Sequence, residues 1–224
     1  MTLRFCCLAD TFDPAREAQF LLDDPTIDTR VGQCTAVILS QGDEARAEAL
    51  LAAGAQQVLI GEAALLDSGI IERLVAKYGK ARIGLSVPVR VLGVDWAFET
   101  VSNADFKVVT PSICEPTWEV LRADASGTGT HAEWWIGQML ERGAQTVLLH
   151  ADIDNDVDLN LCAGLVEKLG AQLWVAPRTN DTPPLADWIA FGQIRQIALP
   201  PDLYQQRDRW QCPADAETAI EEAS

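Results

Sequence analysis

Three segments of this chain close in the same way: Ala53-Gly54-Ala55-Gln56, Arg142-Gly143-Ala144-Gln145 and Leu169-Gly170-Ala171-Gln172. Each has helical periodicity before the glycine and a short β-rich run after it. A glycine just past a helix takes the left-handed conformation that ends it, and the apolar run that follows enters a sheet. Repetition of this unit is the mark of a wound α/β protein, in which helical crossovers join parallel strands. The pattern predicts strands over 3–8, 35–39, 57–60, 81–87, 146–149, 172–175 and 196–199. Helices are predicted over 14–22, 43–53, 63–78, 131–142, 158–169, 185–191 and 202–210.

This set is one strand short of a closed (β/α)8 barrel. The shortfall lies before Thr35, where the stretch 23–32 reads as loop around a short, degenerate second strand. Between Arg90 and Pro116 the chain is longer than a strand-to-helix connection needs. Two alternating segments there, 91–100 and 105–110 around Ser102-Asn103-Ala104, predict a β-hairpin excursion. The expected fold is a TIM-like (β/α)8 barrel, degenerate in its second βα unit and carrying a β-hairpin insertion after strand five. With 224 residues and 48% hydrophobic content, a single domain over 1–212 can bury a full core, followed by a frayed acidic tail over 213–224.

Charge narrows the partners. The chain has 17 Lys plus Arg against 33 Asp plus Glu, a net charge of -16, and that field repels nucleic acid and anionic bilayers. No apolar run reaches membrane-spanning length, and the first residues turn acidic too early for a secretory leader, so the expected location is cytoplasmic. The cysteines Cys6, Cys7, Cys34, Cys114, Cys162 and Cys212 form no Cys-x-x-Cys pair and have no histidine at zinc-ligand spacing. They read as reduced thiols, and no metal is expected. Neither a P-loop nor a Gly-x-Gly-x-x-Gly run is present, and no cofactor is expected. An open sheet edge at the shortened N-terminal region would favour a homodimer.

Two segments carry a family resemblance. The first is Gly54-Ala55-Gln56-Gln57-Val58-Leu59-Ile60-Gly61-Glu62-Ala63-Ala64-Leu65, followed by Tyr78-Gly79-Lys80-Ala81-Arg82-Ile83. The second runs from Trp118-Glu119-Val120 through Gly127-Thr128-Gly129-Thr130 and Glu133-Trp134 to Leu148-Leu149-His150-Ala151-Asp152-Ile153-Asp154-Asn155-Asp156. Together they resemble the phosphoribosyl barrels of histidine biosynthesis, the ProFAR isomerase and the cyclase subunit of imidazole glycerol phosphate synthase. The resemblance implies two acid/base aspartates, at the C-terminal ends of strands one and five, and glycine-rich loops that grip two phosphates.

Laid on that pattern, Ala9 takes the first aspartate position, with Asp10 one residue beyond and expected to point outward. Pro88 takes the second, with Ser86 the nearest polar residue able to face inward, and Ala151 replaces a threonine. Asp10 and Asp152 are the remaining acid/base candidates. Ser40, Gly42, Gly61, Arg178, Thr179 and Asn180 are the remaining candidates for holding substrate or phosphate, in loops where carboxylates and prolines stand in place of several glycines. His150 ends a strand at the functional face. The acidic comb Asp152, Asp154, Asp156, Asp158 reads as capping and solvation, with Asp156 or Asp158 capping the next helix.

The expected function is a barrel of this type that has lost the isomerase or cyclase chemistry and serves as a binding or assembly protein or acts on another small metabolite. The alternative is an active isomerase or lyase of a phosphorylated, sugar-like metabolite. A glutamine amidotransferase partner follows from family analogy alone.

Overall fold

A computed structural model of the chain describes residues 3–25, 27–92 and 116–210. Eight parallel strands close a ring in the order β1 (Arg4–Ala9), β2 (Gln19–Leu22), β3 (Ala36–Leu39), β4 (Val58–Ile60), β5 (Ile83–Val91), β8 (Thr146–His150), β9 (Leu173–Ala176) and β10 (Gln196–Leu199). The ring is sealed by β1 against β10, where Arg4 lies opposite Gln196 and Cys7 opposite Leu199. This is the expected barrel. Its closure within one chain removes the open edge from which a homodimer was argued.

Each strand alternates between two apolar layers because successive side chains point to opposite faces. Inside the ring sit Cys6, Phe20, Ile38, Leu59, Leu148 and Trp174. The Phe20 ring meets Trp174 edge-on, with centroids 5.2 Å apart. Outside the ring, Val37, Leu39, Ile60, Val147, Leu149 and their neighbours pack under the helices. Those helices are α1 (Glu44–Ala52), α2 (Glu62–Leu66), α3 (Gly69–Tyr78), α4 (Ala132–Glu141), α5 (Asp156–Leu169), α6 (Leu185–Ala190) and α7 (Pro201–Tyr204). Gly54, Gly143 and Gly170 have φ of 103°, 108° and 53°, the left-handed geometry that the repeated Gly-Ala units require.

The eighth strand lies where a helix over 14–22 was expected. Asp13 Oδ1 accepts from the Ala15 N–H, while the Gln19 side chain bonds the Asp13 N–H and the carbonyls of Asp13 and Arg16. Such local side-chain bonds offer the backbone an alternative to helix. Phe20 and Leu21 then fall into the inner and outer layers respectively, which suits a strand. Two 3-10 turns, Ile27–Thr29 and Val31–Gln33, take the place of the helix between β2 and β3.

Other boundaries moved for local reasons. The helix expected over 63–78 is two, parted where the Asp67 carboxylate accepts from the Gly69 N–H at 3.0 Å. The segment 202–210 holds α7 and a separate 3-10 turn, Arg207–Arg209. The end of β5 leaves the ring and pairs antiparallel with β6 (Trp118–Leu121), which pairs in turn with β7 (Gly127–His131). The insertion after strand five is therefore seen in residues 118–131. All but the first two residues of the hairpin expected over 91–110 lie outside the described residues.

The remaining indoles and thiols sort by layer. Trp188 is fully buried, with its N–H on the Ile153 carbonyl at 2.9 Å, and Trp135 is also buried, whereas Trp134 is 63% exposed. Cys6, Cys7, Cys34 and Cys162 are buried free thiols, while Cys114 and Cys212 fall outside the described residues. No helix among the described residues is long and apolar enough to cross a membrane.

Candidate functional site

The C-terminal ends of the strands open on a cavity of about 290 Å³ whose walls include Ser86, Pro88, Val120, Trp135, His150 and Arg178. The hairpin supplies one wall through Val120 and Leu121, and the start of α2 supplies Gly61 and Glu62. Such mouths are where barrel enzymes place their chemistry, because the loops there vary without disturbing the ring.

Strand register decides which side chains reach the cavity. Ser86 and Pro88 lie on β5, with Pro88 directly opposite His150 on β8. The Ser86 hydroxyl, on a residue only 4% exposed, lies 3.1 Å from His150 Nε2. Burial pushes the His150 imidazole down to about 4, so the ring is neutral near pH 7. Nδ1 of His150 has no protein partner among the described residues and is not one of the buried atoms left without one. His131 is exposed and makes no side-chain cap to α4.

On β1 the expected facing is reversed. Cys6 and Leu8 pack inside the barrel while Cys7 and Ala9 belong to the outer layer, so Asp10 rather than Ala9 continues the inward alternation. Asp10 lies just past the strand, exposed, and borders a separate hollow with Phe12, Leu21, Ile27 and Arg30. No hydrogen bond or ion pair joins it to Asp152.

Asp152 is engaged elsewhere. Its carboxylate accepts from the backbone N–H groups of Arg178, Thr179 and Asn180 at 3.1, 2.7 and 3.1 Å, and from the Thr179 hydroxyl at 2.6 Å. The Arg178 guanidinium adds an ion pair at 3.0 Å. Burial alone would raise this carboxyl, but the Thr179 and Asn180 bonds and the Arg178 charge outweigh it and hold Asp152 below the usual carboxylate range. Successive amides aimed at one point form an anion nest. Here the anion is the protein's own.

The loops after β3 and β4 also spend donors internally. The Gly61 N–H donates to the Leu39 carbonyl and the Glu62 N–H to the Ser40 carbonyl, at 2.9 and 3.1 Å. The start of α1, just past Gly42, is capped by Asp43, which accepts from the Arg46 N–H at 2.9 Å. Ser40, Gly61, Arg178 and Thr179 all line the cavity. The acidic comb disperses: Asp154 accepts from the Asn180 side chain, and Asp158 from the Trp118 indole N–H at 2.8 Å. Asn155, rather than Asp156 or Asp158, caps α5. Among the described residues no three His, Cys, Asp or Glu side chains converge as a metal set.

One group that the sequence offered only as part of the resemblance, not as a site candidate, is Glu119, buried at the root of the hairpin between Arg90 at 2.8 Å and the Gly129 N–H at 2.9 Å. Its burial is unusual for a glutamate, but the charge and amide that offset it come from β5 and β7, so only the folded register brings them together.

A closed eight-strand α/β barrel with its cavity at the strand ends and an antiparallel hairpin after the fifth ring strand defines the class. Within it, the sequence model described as "Histidine biosynthesis protein" matches residues 42–160, and the chain belongs to that family. No curated protein matches the chain.

Proposed function

We propose that this family barrel no longer carries out the ancestral ProFAR isomerase or cyclase reaction and uses the mouth cavity to bind, or act on, a different small metabolite. The observation that carries the reading is the state of the Arg178–Asn180 loop, whose amides already hold the Asp152 carboxylate. A phosphate entering there would have to displace an internal anion together with its ion pair to Arg178. Pro88 supports the same reading, since at the second acid/base position it carries no proton. The cavity instead presents a neutral imidazole, a hydroxyl and apolar walls.

Expression of the chain in bacterial histidine auxotrophs lacking either the isomerase or the cyclase tests this. No growth without histidine is the expected result. Growth would overturn the reading.

A second reading keeps a phosphorylated, sugar-like metabolite as substrate, with Asp10 and Asp152 as acid and base. The inward alternation of Asp10 on β1 favours it. It requires Asp152 to leave the Arg178–Asn180 loop first. Composition supports a cytoplasmic location, exposed Trp134 on α4 supports self-association, and family membership supports a glutamine amidotransferase partner.

A further inference from the structure

We propose that His150 is the proton-transfer group of the mouth cavity, meeting the bound molecule through Nδ1, and that Ser86 is its positioning residue through Nε2. This rests on the reading that the cavity serves a metabolite other than the ancestral one. Three observations carry it. His150 stands directly across the β5–β8 pairing from Pro88, where the family resemblance puts a carboxylate. Its Nε2 is fixed by the buried Ser86 hydroxyl at 3.1 Å. Nδ1 has no protein partner among the described residues and belongs to a ring that lines the cavity.

The hydroxyl beside Nε2 works in either direction because it both donates and accepts. With hydrogen on Nε2, that N–H donates to Ser86 Oγ and Nδ1 holds a lone pair toward the ligand. With hydrogen on Nδ1, the Ser86 O–H donates to Nε2 and Nδ1 becomes the donor. The charged groups sharing the cavity are Glu62 from α2, Arg122 after β6 and Arg178 after β9. Arg178 is paired to Asp152, whereas Arg122 has no carboxylate partner among the described residues, its terminal nitrogen lying 3.4 Å from the Gly127 carbonyl.

That set fits a compact carbonyl compound with a transferable proton on the neighbouring atom, its oxygen held by Arg122. The bond from that atom to hydrogen breaks as the proton passes to Nδ1, its electron pair forms a double bond to the carbonyl carbon while the carbonyl π pair moves onto the oxygen, and Nδ1 then delivers the same proton to that oxygen, giving the enol tautomer. Nothing else is consumed.

Carbethoxylation with diethyl pyrocarbonate, which attacks only unprotonated imidazole, tests the assignment on the full chain by peptide mass spectrometry. His150 should be modified at pH 7, and its rate should hold within about twofold down to pH 5. The rate for free N-acetylhistidine falls roughly 25-fold over that range. Ser86→Ala should change the His150 rate by about threefold or more, and Ser86→Thr should restore it. An unmodified His150 under conditions that consume N-acetylhistidine would overturn the proposal, as would a His150 rate that Ser86→Ala leaves unchanged. Growth of the auxotrophs would strike the underlying reading separately, leaving the reactivity of the pair as measured.

Discussion

Thr179 binds Asp152 twice, through its backbone N–H at 2.7 Å and its hydroxyl at 2.6 Å, and so ties the loop after β9 to the end of β8. Removing that carboxylate frees three amides and a guanidinium at once. Asp152→Ala is expected to lower unfolding free energy by roughly 2 to 3 kcal/mol, the range for charge-assisted bonds, with urea denaturation as the measurement. Because the folded carboxyl titrates below its unfolded value, this stabilisation is complete above the unfolded pKa and fades as pH falls through the folded one. The difference between wild type and Asp152→Ala should therefore shrink below about pH 4.

His150 acts in the same sense over a higher pH window. Its folded pKa of about 4 lies below the ordinary 6.5, so the unfolded chain binds the extra proton between those values and stability falls as the solution is acidified across that window. Denaturation midpoints at pH 7, 6 and 5 should decline more steeply for wild type than for His150→Gln. Parallel declines would show that the imidazole is not held neutral.

Trp118 and Asp158 join the hairpin to α5 through a buried bond of 2.8 Å. Trp118→Phe keeps most of the ring but leaves Asp158 Oδ1 without that donor, a loss expected to cost about 1 to 3 kcal/mol. Thermal unfolding followed by circular dichroism measures it. A shift within error of wild type would show that the carboxylate finds water or another donor.

Gly61 is needed for space, since a Cβ there would lie 2.7 Å from the Ser40 carbonyl oxygen, which is backbone and cannot swing aside. Gly61→Ala is expected to destabilise by about 1 to 3 kcal/mol, read by urea denaturation. The closer approach of α2 to β3 that glycine permits also shapes one wall of the cavity.

Much of the ring was legible because its strands are apolar runs punctuated by Gly-Ala turns, and β10 falls on the very residues 196–199 read from the sequence. β2 was not, since Gln19-Phe20-Leu21-Leu22 is too short to show a period, and Pro14 to Leu22 carries apolar spacing compatible with a helix turn. The facing of Ala9 and Asp10 was misread for a related reason: period-two alternation says that neighbours oppose each other but does not say which of them faces in. Only the pairing of β1 with β2 and β10 settles that. At the site, Ser86, His150 and Asp152 were each visible as residues. Their partnerships were not, because the residues in each pair come from separate strands or loops, Ser86 with His150 and Asp152 with Thr179.

The crossing from β1 to β2 has no helix laid over it, and two 3-10 turns stand in for cladding between β2 and β3. A hollow of about 370 Å³ remains beside Leu21 and Ile27. Wherever a wall is thinly covered, water needs the least work to reach its backbone, so amides of Gln19 to Leu22 should be among the first in the ring to exchange their hydrogens while β5 and β8 hold theirs longest. The barrel should then open first along that flank, which adjoins the rim where Asp10 sits.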